Sequence, residues 1–72
     1  MNYSKSIRDY EKDLKEAKKK YEKLLRQMKK ARSEYQYYNL SDEAEVLYED
    51  IADIQMIVTD LRKQKKLTEI SA

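Results

Sequence analysis

Carboxylates and cations are the groups in this chain numerous enough to do chemistry, and they point to different tasks. Fourteen Asp and Glu residues could pair as general acid and base or gather an oxygen-seeking cation; sixteen Lys and Arg residues could hold an anion. Seven tyrosines supply every aromatic ring and could stack on bases or line an interface. The chain has no His and no Cys. Imidazole or thiol catalysis therefore has no residue to carry it, disulfides cannot form, and zinc, haem and iron–sulfur sites lose their usual donors. With no Gly there is neither a phosphate-cradling loop nor the sharp bend of a calcium loop. The acids read as solvated faces, because two thin helices offer no enclosed cleft in which they could act as acid and base. The expectation is a protein that is not an enzyme, with no cofactor, no metal site and no small-molecule substrate.

The cations are more informative, because they are segregated. Nine bases and only two acids lie between Lys15 and Arg32, whereas eight acids and no base lie between Ser33 and Leu61. Bases then return as Arg62, Lys63, Lys65 and Lys66. Part of this is helix electrostatics. Acids gather early in each expected helix and bases late, as the helix dipole prefers, and Glu11–Lys15, Glu16–Lys20 and Glu22–Arg26 are favourable i,i+4 pairs. Part of it is not. Lys5, Lys12, Lys19 and Arg26 recur every seven residues, on the face opposite the apolar stripe described below. The candidate contact set for a protein partner or a nucleic acid is Lys12, Lys15, Lys19, Lys23 and Arg26, joined by Arg62, Lys63 and Lys66. Nucleic acid is the lesser expectation, since the acidic half cancels much of the field at a net charge of +2.

These groups must be positioned by helices. Tyr3, Ile7, Tyr10, Leu14, Ala17, Tyr21, Leu24, Met28, Ala31, Tyr35 and Tyr38 follow one another at spacings of four and three, the pattern of a coiled-coil seam. A second seam holds Ala44, Leu47, Ile51, Ile54, Val58 and Leu61, fading through Lys65 and Thr68. Its phase is shifted by two residues, which one continuous coiled coil cannot absorb. The spacing predicts a break at 39–41, with Asn39 in a left-handed C-terminal position and Ser41 or Asp42 as the next N-cap. The whole of 1–72 is then one all-α domain, an antiparallel coiled-coil-like hairpin. Helix one covers about 4–38, helix two about 42–67, and 68–72 form a tail. In that register Tyr3, Ile7 and Tyr10 project past helix two, and Lys15 to Lys20 approach the basic cluster at 62–66.

A lone hairpin of this size is marginal, and oligomerisation is a common remedy. The self-association seam is Ile7, Tyr10, Leu14, Tyr21, Leu24, Met28, Tyr35, Leu47, Ile51, Ile54, Val58 and Leu61, and the expected assembly is a homodimeric four-helix bundle. Tyr37, Leu40 and Tyr48 form a candidate contact at the hairpin tip. No apolar run is long enough to cross a bilayer, and a cytoplasmic location is expected, with no membrane partner. The expected role is a small adaptor or regulator that binds another macromolecule. The alternatives are a nucleic-acid-binding regulator and a phage- or plasmid-encoded inhibitor of a host protein.

Overall fold

The computed structural model describes residues 3–71; residues 1, 2 and 72, included in the expected domain, lie outside them. Two helices, α1 (Tyr3–Lys29) and α2 (Glu34–Ser71), fold back on each other as an antiparallel hairpin. At 1.5 Å per residue they are about 40 and 57 Å long. The molecule measures 58 × 14 × 14 Å, so α2 alone spans its whole length.

The break falls at 30–33, not at 39–41. Three local interactions set it there. Lys30 and Ala31 donate their N–H groups to the carbonyls of Gln27 and Met28 at 3.1 and 3.2 Å, tightening the last turn of α1. Ser33 caps α2: its Oγ accepts the Gln36 N–H at 3.1 Å, while its carbonyl accepts the Tyr37 N–H at 3.0 Å. Gln36 reaches back, its Oε1 accepting the Arg32 N–H at 3.2 Å, one residue short of a full capping box. Among the described residues no non-glycine residue has positive φ. The reversal therefore needs no left-handed residue, and Asn39 is simply helical.

The earlier turn changes the register. A turn at 39–41 would set Glu11 against residue 69 and Tyr21 against residue 59. Instead the Arg62 guanidinium pairs with the Glu11 carboxylate, and the Tyr21 ring lies 5.9 Å from that of Tyr48. Two expectations fall with the old register. Tyr3 and Ile7 do not project uncovered but are half-buried, because α2 runs on to Ser71 in place of the tail at 68–72. Lys65 and Glu69, 3.9 Å apart, support that last stretch. The overhang lies at the other end, where the first two turns of α2 rise past the end of α1.

The core is thin. Ala44, Ile51 and Val58, seven residues apart on α2, are the buried apolar side chains, and no residue of α1 is buried. Leu40, Leu47, Ile54 and Leu61 flank them half-buried, facing Ile7, Leu14, Ala17, Tyr21, Leu24 and Met28 of α1 in the same state.

Candidate interaction surface

The two helices make different use of their apolar residues. On α1 they form one stripe that faces α2, with Leu25, 38% exposed, beside it. On α2 one stripe faces α1, and further apolar residues stand outside it among the charged ones. Met56, Leu67 and Ile70 are each more than half exposed, as are Val46 and Tyr48, which border α1 at Leu24 and Tyr21, and Ile57 is 38% exposed. Exposed apolar side chains of this kind gain stability when a neighbour covers them. The narrow stripe of α1 is covered; the wider surface of α2 is not.

Open grooves run along the flanks of the hairpin. One, of about 660 Å³, has a floor of Leu24, Val46 and Leu47. One bank carries Lys20, Lys23 and Gln27 from α1, the other Asp42, Glu43 and Asp50 from α2. Opposite charges thus line opposite banks, yet among the described residues none of these five charged side chains closes an ion pair across the groove. Another groove between the helices, of about 330 Å³, is lined by Lys18, Tyr21, Tyr48, Ile51, Ala52 and Gln55.

Of the residues expected to form the seam, ten lie between the helices: Ile7, Leu14, Tyr21, Leu24, Met28, Leu47, Ile51, Ile54, Val58 and Leu61. Tyr10 sits at the border, 37% exposed. Tyr35 does not join them; it stands on the overhang, 78% exposed. The basic set separates in a similar way. Lys12, Lys15, Lys19, Lys23 and Arg26 are exposed along α1, and Lys63 and Lys66 along α2, while Arg62 is engaged by Glu11. The expected approach of Lys15–Lys20 to the bases at 62–66 does not form. In the actual register Lys20 lies across the groove from the acids at 42–50.

The tip trio is also divided. Tyr37 belongs to the overhang, where its ring meets Tyr38 edge-on at 5.9 Å and 79°, whereas half-buried Leu40 sits at the base of the overhang on the inner face. Tyr48 lies eleven residues beyond Tyr37, about 16 Å down the helix, against Tyr21. Tyr35 and Tyr38, which heptad spacing puts on the first seam, stand in solvent instead, and Leu67 and Ile70 escape a reading that follows heptad stripes alone. Among the described residues no three or more His, Cys, Asp or Glu side chains gather as they would around a metal ion, and no helix is long and apolar enough to cross a membrane.

Fold and surface together define a class: a two-helix hairpin with a thin core and an incompletely covered second helix. Beyond that class, comparison with known proteins adds no relationship, since the chain matches no family model, no curated protein and no solved structure.

Proposed function

We propose that this chain is a non-enzymatic interaction module, a helical hairpin that completes its core by associating with a second helical surface and acts as a small adaptor or regulator. The observation that carries the reading is the exposure of α2, with Val46, Met56, Leu67 and Ile70 58–72% exposed while α1 covers one side only. Full burial of a Val, Leu, Ile or Met side chain is worth about 1.5–3 kcal/mol, so covering this surface would add strongly to a hairpin whose own buried core is three residues. The simplest covering surface is a second copy, giving a four-helix bundle. Thermal unfolding followed by helicity over a hundredfold range of protein concentration tests this. Association makes the midpoint rise with concentration, whereas a midpoint independent of concentration removes self-association from the account.

A second reading has its own support in the exposed bases of α1. Lys12, Lys19 and Arg26 stand seven residues apart on the outer side of the helix, flanked by Lys15 and Lys23. Such a row would contact a phosphate backbone in a salt-dependent manner. Replacing Lys12, Lys19 and Arg26 by Glu should abolish a gel shift with nucleic acid and leave helicity intact; an unchanged shift excludes the row.

A further inference from the structure

We propose that the groove between the Lys20–Lys23 bank and the Asp42–Asp50 bank is where a second copy of this chain docks, side by side, with both turns at the same end of the bundle. This deepens the self-association reading and rests on it. The groove has the floor such a contact needs. Val46 is 60% exposed beside Leu24 and Leu47, and Val46, Asp50 and Ile57 recur at spacings of four and seven, which places them on one stripe of α2. A standard stable interface buries about 800 Å² per partner, and a rod 58 Å long and 14 Å wide has a flank long enough to hold one.

Charge decides how the second copy lies. Two identical faces meeting about a two-fold axis have two choices. An axis across the helices sets α1 against α1 and α2 against α2. That arrangement brings Lys20 and Lys23 within range of Asp13 and Asp9 of the second copy. It also brings the middle of α2, with Asp50, Asp53 and Asp60, onto its own copy, and no base lies between Ser33 and Leu61 to relieve the repulsion. An axis along the helices sets each α1 against the other's α2 in the register of the hairpin itself. Lys20 and Lys23 then face Glu43 and Asp50 of the second copy, and Asp9 and Asp13 come level with residues 60–64, where Asp60 is accompanied by Arg62 and Lys63, so the opposition of acids is confined to Asp60. The overhang gives an independent reason. Tyr35 and Tyr38, 78% and 62% exposed past the end of α1, come together at one end only if both turns lie there.

The orientation is readable by distance. The chain has no Cys, so Arg32→Cys in the turn can carry a single nitroxide label; the capping bond there uses the Arg32 backbone and is kept. Pulsed electron resonance on the full chain, at a concentration where light scattering gives a dimer, should show a separation of roughly 15–30 Å, the width of a four-helix bundle plus labels. Ser4→Cys at the other end should give the same. Separations above about 40 Å at both sites, the length of α1, would mean the copies run oppositely and would overturn this proposal while leaving self-association standing. A monomeric mass, or any mass other than a dimer, would overturn the proposal, and the monomer would overturn self-association as well. Lys20→Glu with Lys23→Glu should weaken dimerisation about tenfold, and adding Glu43→Lys and Asp50→Lys should restore it. Failure of that exchange to restore the dimer would place the contact elsewhere.

Discussion

Ser33 is the side chain on which the topology turns. By accepting the Gln36 N–H it fixes where α2 begins, and every later contact inherits its register from that start. The sequence carries this signal openly as Ser33-Glu34-Tyr35-Gln36, a serine followed three residues later by glutamine, as in a capping box. A competing signal, Asp42 with Glu45, has the same spacing and sits where a chain reversal with Asn39 is equally plausible by residue type. What separates them is the backbone, since the actual reversal uses no positive φ and so has no use for Asn. Replacing Ser33 by Ala should lower stability by about 1 kcal/mol in a urea titration, as loss of a cap does. Asp42→Ala, an exposed position inside α2, should change it by less than about 0.5 kcal/mol. Equal effects at the two sites would contradict the observed start of the helix.

At the level of the elements, the two seams and their phase shift were legible from spacing alone, and the hairpin follows from them. The position of the break was not, for a physical reason. Across 35–40 both phases are satisfied at once: Tyr35 and Tyr38 continue the first seam, while Tyr37 and Leu40 begin the second. Apolar periodicity cannot choose between two stripes that are both apolar. The structure gives this stretch to α2, leaving Leu40 half-buried on the inner face and Tyr35 in solvent. The charge pattern was misplaced for the same reason, since moving the turn moves the bases of α1 from the basic end of α2 to its acidic half. Proline makes the difference measurable. Glu34→Pro, at the first helical position, should leave helicity unchanged, whereas Leu40→Pro, inside α2, should cost about 3 kcal/mol or more and melt the hairpin. Tolerance of proline at 40 would return the break to the later site.

At the scale of the whole molecule the shape is a rod 58 Å long, two helices thick. Such a rod keeps its apolar residues half-wet, and among the described residues the three buried side chains form a single row along one helix. The contrast between the stripe of α1 that faces α2 and the exposed apolar residues of α2 is the property from which the proposed function grows. Charge segregation then favours neighbours of matched polarity, whether a second copy or another protein. The bases of α1 and the acids of α2 are close enough within one hairpin to make its net charge of +2 a poor guide to the field at either flank. The most direct test of association is light scattering on a sizing column, at low and high salt, with absorbance followed at 260 and 280 nm. A protein-only peak at twice the 8.7 kDa chain mass, retained at high salt, is the result the account predicts. A peak at 8.7 kDa under both conditions would contradict it.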